Sequence, residues 1–186
     1  MTSVAEGRDP QALLPSGLTL EVVAHHEAGH AVAAYLSGWK FEYVSIVGDD
    51  NCDGQVRHKI WSNFHPDVDD SDRNRRRVES VIVSLYGGNV AQAALLNLPI
   101  DAPSAERGCD HDFEQAARFA AYMCGHEDEI AAYAWYLRMK AKSLLAMEQN
   151  WLAVRALAGK LMDSPHIGGQ PARRIIRTAI ANADGI

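Results

Sequence analysis

Cysteine is scarce in this sequence: Cys52, Cys109 and Cys124, an odd number without paired spacing. That excludes a disulfide framework and points to reduced thiols in a cytoplasmic setting. Positive charge is in deficit, with 18 Lys and Arg against 24 Asp and Glu and a formal net charge of −6. A phosphate-binding surface needs the reverse, so nucleic acid is not an expected partner. No apolar h-region opens the chain. MTSVAEGRDPQALLPSG carries acidic residues and prolines instead and reads as a flexible leader over residues 1–17. Residues 80–100 lack a charged side chain, but Asn89, Gln92, Asn97, Gly87-Gly88 and Pro99 interrupt them. A buried helical segment is expected there, not a membrane span, and no membrane partner. Repeats and low-complexity tracts are absent. What is present, 186 residues with 47% apolar and 23% charged side chains, suits one globular domain.

LTLEVVAHHEAGHAVAAYLSG has small and apolar residues at helical spacing, starting at Thr19 and stopping at Gly38. FEYVSIV (41–47) and GQVRHKIW (54–61), separated by the turn material GDDNCDG, read as a small β-hairpin. SNFHPDVDDSDRNRRR is an exposed loop running into a helix, where Asp67, Asp69, Asp70 and Asp72 neutralise Arg73, Arg75, Arg76 and Arg77. A helix is expected over about 78–96, with the glycine pair as a place for a bend. A loop with Pro99 and Pro103 leads to another helix over about 110–123. HEDEIAAYAWYLRMKAKSLLAMEQNWLAVRALAGKLMD supplies two more, Pro165 and Gly168-Gly169 break the pattern, and QPARRIIRTAIAN closes as a short helix. The expectation is a mainly α fold, one helical domain over residues 18–186 with a small β-hairpin. Trp135, Tyr136, Trp151 and Leu152 read as core or interface packing, and Met123, Met139 and Met147 as gap-fillers. Cys124 reads as a buried thiol and His25 as solvent-facing.

The chemistry is concentrated in His26-Glu27-Ala28-Gly29-His30, an HExxH on a helix. Residues four apart sit one turn above each other, so both imidazoles can reach one metal ion. Glu27 beside them can take a proton from a metal-bound water. Two neutral imidazoles plus a carboxylate suit Zn²⁺ and leave a position for water, whose pKa the metal lowers to about 7. The bland alternative makes both histidines ordinary polar positions on an amphipathic helix. Gly29 argues against it, because glycine costs about 1 kcal/mol in a helix interior and implies a close neighbour. A third ligand must come from elsewhere. The extended pattern HExxHxxGxxH would need a glycine and a histidine where Ala33 and Leu36 stand, so the three-histidine class is excluded. The best-equipped segment is Gly108-Cys109-Asp110-His111-Asp112. Asp110 or Asp112 equally suits a helix N-cap, and Asp112 with Gln115 a capping box, so spacing leaves this choice open.

HHEAGHAVAAYLSG resembles the peptidase domain of the FtsH-type ATP-dependent zinc metalloproteases, where HEAGHA opens the site. GQVRH, VIVSLYGGNVAQAAL, GCDHDFEQAARFAAYMC and AKSLLAMEQNWLAVRALAGKLMD extend the resemblance over roughly residues 19–180. It implies zinc bound by His26, His30 and Asp112, with Glu27 as the base. The implied activity is that of a zinc metalloendopeptidase acting on flexible or unfolded polypeptides, with the hairpin edge at 54–60 aligning an extended peptide by strand addition. Three departures stand out. His111 replaces the family's Asn, after Cys109-Asp110 in place of Ala-Ser, which adds candidate ligands. Asn89 and Gln92 replace an Arg and a Glu. No GxxxxGK[ST] occurs, so an ATPase would act in trans. The family's rings leave a homo-oligomer open. Two other functions compete: a non-catalytic zinc-containing scaffold or adaptor, and an HD-type phosphohydrolase built on His111-Asp112 with His65 and Asp128 or Asp163. The latter leaves the HExxH unexplained.

Overall fold

The computed structural model describes residues 9–11, 13–14, 17–48 and 52–183. Of the expected leader, residues 1–8, 12 and 15–16 lie outside these, as does the tip of the hairpin turn at 49–51. Among the described residues there are seven helices and three strands. None of these helices is long and apolar enough to cross a membrane.

Helix α1 (Leu20–Leu36) begins at Thr19, whose extended backbone and Oγ1, accepting from Val22 N–H at 3.3 Å, form an N-cap. The leader's described part packs onto this end: Glu21 N–H donates to Pro10 O at 3.0 Å. α1 is buried nearly all round, as befits a central helix. Strands β1 (Phe41–Ser45) and β2 (Gln55–His58) form the expected antiparallel hairpin, with Val44 opposite Val56. A third strand, β3 (His166–Gly168), pairs with the other side of β1, so the hairpin is two-thirds of a sheet ordered β2-β1-β3. Among the described residues, β2 therefore has one edge without a strand partner.

Helix α2 (Asp72–Leu96) starts earlier than its apolar pattern, because Ser71 caps it by accepting from Asn74 N–H at 3.3 Å. It runs through Gly87-Gly88 without a break and ends at Asn97 in the left-handed region (φ 53°). Pro103–Glu106 forms the short helix α3 within the expected loop, followed by α4 (Asp110–Ala121), α5 (Glu127–Leu145), α6 (Glu148–Asp163) and α7 (Gly169–Ala183).

The core lies around α1 and includes Val32, Ile82, Leu137, Leu157, Leu161 and Ile176, all fully buried. Its tightest contact is between α1 and α2. A Cβ on Gly29 would collide with the Gly87 carbonyl, and one on Gly87 would fall 2.8 Å from the Ala33 Cβ. This is the close neighbour that Gly29 implied, and it gives the glycine pair a packing role in place of a bend. Trp135 and Tyr136 lie on the surface, 47% and 58% exposed. His25 is half-buried, with Nδ1 donating to Glu21 O at 2.9 Å and its ring 6.0 Å from Trp151, so it does not face solvent freely.

Candidate metal centre

Three ligand atoms from two helices converge. His26 and His30 project from α1, and Asp112 sits in the first turn of α4, where the helix dipole favours a carboxylate. His26 Nε2 and His30 Nε2 are 2.9 Å apart, and Asp112 Oδ2 is 3.2 Å from each. Ligands about 2.0–2.1 Å from a tetrahedral ion lie roughly 3.3 Å from one another, so the triangle has the size of an ion's coordination face. Among the described residues this group can hold a metal ion.

The hydrogen bonds behind the ligands fix which atoms face inward. Ser84 O can only accept, so His30 Nδ1, 2.8 Å away, must donate to it. Gln92 uses its amide nitrogen on Ser104 O and Arg107 O, at 3.2 and 3.1 Å, which turns its oxygen toward His26 Nδ1 at 3.2 Å. His26 Nδ1 therefore donates as well, and both Nε2 atoms present lone pairs to the centre. Two such lone pairs and a carboxylate oxygen cannot crowd together without a cation among them, either a proton or a metal.

The ionisation of the chain itself reflects this demand. Burial alone would lower His26 and His30, but hydrogen bonding to Asp112 and its negative charge override it, and both stand above the ordinary histidine value. Burial alone would raise Asp112, yet the charge of His30 and the hydrogen bonds from both histidines hold its carboxyl far below the usual range. Asp112 takes no part in capping α4.

Glycines clear the space. A Cβ on Gly88 would lie 2.5 Å from His30 Nε2 and 2.6 Å from His26 Nε2, filling the cradle beside both ligand atoms. A Cβ on Gly54, just before β2, would lie 2.8 Å from Glu27 Cγ and Oε1. Glu27 is 5% exposed and its Oε2 has no hydrogen-bond partner. Burial raises its pKa, against the lowering effect of His26 and His30.

Of the remaining candidates, Cys109 is buried, with Sγ 3.8 and 3.9 Å from Ala105 O and Arg107 O, and its side chain also hydrogen-bonds His26, though it does not join the converging group. Asp110 and His111 are exposed. His65, Asp128 and Asp163 are also exposed and join no such group among the described residues.

Sequence reasoning missed the residues that set the ligands. Asn89 donates to Ile100 O and Ala105 O at 3.1 and 2.7 Å, and Arg138 of α5 donates twice to Asn89 Oδ1, at 3.0 and 2.9 Å. Arg138 also donates to Ile100 O and, at 2.8 Å, pairs with Glu106. This buried network holds the 97–109 segment whose carbonyls orient Gln92. The signal in sequence was a pair of amides, Asn89 and Gln92, inside an otherwise apolar helix. No protein-family model matches this chain, and no curated protein matches it either.

Proposed function

We propose that this chain is a zinc metalloendopeptidase, with His26, His30 and Asp112 as metal ligands and Glu27 as general base. The observation that carries it is a buried carboxylate, next in sequence to one of three converging ligands, with an oxygen that has no partner among the described residues. A structural metal site would need the ligands alone and would leave Glu27 as a buried carboxylate without a purpose. The two-nitrogen, one-oxygen donor set, buried and with one more position to fill, suits Zn²⁺. The motif resemblance to FtsH-type peptidase domains agrees with this function, and the odd cysteine count suits a reducing, cytoplasmic setting.

A zinc ion held here supplies a Lewis acid that acidifies a water and polarises the scissile carbonyl. Glu27 accepts the proton as the water oxygen bonds to the carbonyl carbon. It then delivers that proton to the leaving nitrogen as the C–N bond breaks, giving a new carboxylate and a new amine. Its raised pKa makes it a better base than an exposed glutamate would be. Gln92 and Ser84 hold the imidazoles in the tautomer that keeps Nε2 free for the metal. The chain meets Glu27 at Gly54 as it enters β2, whose outer edge has no strand partner among the described residues and can align an extended peptide by main-chain hydrogen bonds. That geometry favours flexible or unfolded polypeptides, and an ATPase acting in trans would extend the range to folded ones.

The test is ATP-free cleavage of a disordered protein by the zinc-loaded chain beside its Glu27→Gln variant. Loss of cleavage with retention of one zinc per chain is expected of the variant. Equal cleavage by both would overturn the mechanism.

A further inference from the structure

The last residue of β2 is a partly buried histidine. His58, four residues beyond Gly54, stacks its ring on Trp39 with centroids 3.7 Å apart and planes 7° apart. Trp39 is itself held, its Nε1–H donating to Lys59 O at 3.1 Å, while Lys59 N–H donates to Lys40 O at 2.8 Å. The imidazole is thus fixed between a strand and an indole. Its Nδ1 is buried and has no hydrogen-bond partner among the described residues. A buried polar atom left this way is costly, and a purely structural histidine would have its partner.

His58's surroundings say what the partner is. His30 and Asp112 act on its ring electrostatically, and β2, which bears it, packs against α1, so it lies on the centre's side of the strand. It is nevertheless outside the set of converging ligand atoms, which all lie within 4.8 Å of one another. Burial takes its pKa down to about 3, so the ring is neutral at working pH and carries one N–H. Two of the buried polar atoms without a partner, Glu27 Oε2 and His58 Nδ1, therefore belong to the same short stretch where β2 passes the ligands.

We propose that His58 is a further catalytic residue of this centre, its ring N–H donating to the scissile carbonyl oxygen and strengthening that bond as the oxygen gains negative charge. The proposal rests on the endopeptidase function above and adds the group that stabilises the oxyanion. A neutral, fixed N–H is well suited to this, because it is aimed before the charge develops and needs no rearrangement when it does. The other side of the substrate is left to Glu27.

The experiment compares wild type, His58→Ala and His58→Asn, whose side-chain amide nitrogen stands close to the place of Nδ1. Each is checked for folding by thermal melting and for zinc by elemental analysis. Cleavage kinetics are then measured beside the binding of two probes: acetohydroxamate, which engages only the metal, and a short peptide phosphonamidate, which mimics the tetrahedral oxyanion. His58→Ala is expected to keep one zinc and its acetohydroxamate affinity. Its kcat should fall about 100-fold with KM little changed, and phosphonamidate binding should weaken by a similar factor. His58→Asn should recover part of both losses. Loss of zinc from His58→Ala would make it a ligand and overturn the proposal, as would unchanged kcat and phosphonamidate affinity. A wild-type chain that binds zinc and discriminates the phosphonamidate through His58, yet cleaves nothing, would sink the endopeptidase function and leave the donor role standing.

Discussion

On the α2 side of the centre, each ring nitrogen that is not a ligand atom has an acceptor: Ser84 O for His30 and Gln92 Oε1 for His26. Gln92 is in turn held by two carbonyls, and the segment bearing them is tied down by Asn89 and Arg138. On the β2 side, Glu27 Oε2 and His58 Nδ1 are buried with nothing to bond, and the strand itself has a vacant edge. The first side is satisfied within the chain and suits an ion that stays. The second is incomplete and suits a molecule that comes and goes. Polar satisfaction thus separates a holding surface from a working surface within one small site.

The sharpest break in that contrast comes from Asp112→Ala. It removes a ligand from the holding side, and elemental analysis should find metal content reduced from one per chain to near zero. Next comes the same small change made once on each side. Gly88→Ala drives a methyl against both Nε2 atoms and should lower thermal stability by about 1–3 kcal/mol together with metal content. Gly54→Ala presses on Glu27 and on the Ser45 carbonyl, so cleavage should fall while zinc stays at one per chain. Equal metal loss in the two variants would erase the distinction. Gln92→Ala leaves the ligands in place but frees the His26 ring, and competition with a chelator should show zinc affinity about 10–100-fold weaker.

The smallest expected effect is on pH dependence. In the metal-free chain the raised pKa values of His26 and His30 contribute stability that is complete below 6.5 and is lost as pH rises through their folded values. Asp112, held low, contributes above 3.8 and so adds no slope in this range. His25 and His58, both lowered, are neutral above 6.5 whether the chain is folded or not. The melting temperature of the metal-free protein should therefore fall from pH 6.5 upward. Zinc requires deprotonated ligands, so the stabilisation it adds should grow over the same range. Thermal scans with and without zinc would reveal slopes of opposite sign, and parallel slopes would mean the histidines carry no shared proton.

Local signals carried the helical half of this molecule into view from sequence. Thr19 marks the start of α1, the HExxH spacing places two imidazoles on one face, and both features depend on residues within one turn of each other. Asp112 came from resemblance, because spacing could not separate a ligand from an N-cap; its distance to His26 is a tertiary fact. The same holds for Gln92 and Ser84, which reach their histidines across 66 and 54 residues. β3 is three residues between Pro165 and Gly169, too short for a period-two pattern, and exists only because β1 offers an edge. The early start of α2 was hidden by charge: DRNRRR looks like a loop, yet these residues are tolerated on an exposed helix once Ser71 caps it.

Gly29 against Gly87 has a meaning for which ions the centre can accept. Backbone meets backbone there, and only the methyls of Ala33 and Ala91 flank the crossing of α1 and α2. How closely Gly88 of α2 approaches the Nε2 atoms of His26 and His30 is then set by two bare backbones. Large, oxygen-loving ions such as Ca²⁺, which need six to eight donors at about 2.3–2.6 Å, would have to pry apart a joint with no slack. An ion held by His26, His30 and Asp112 would therefore sit beside a main-chain joint, with no long side chain there to yield.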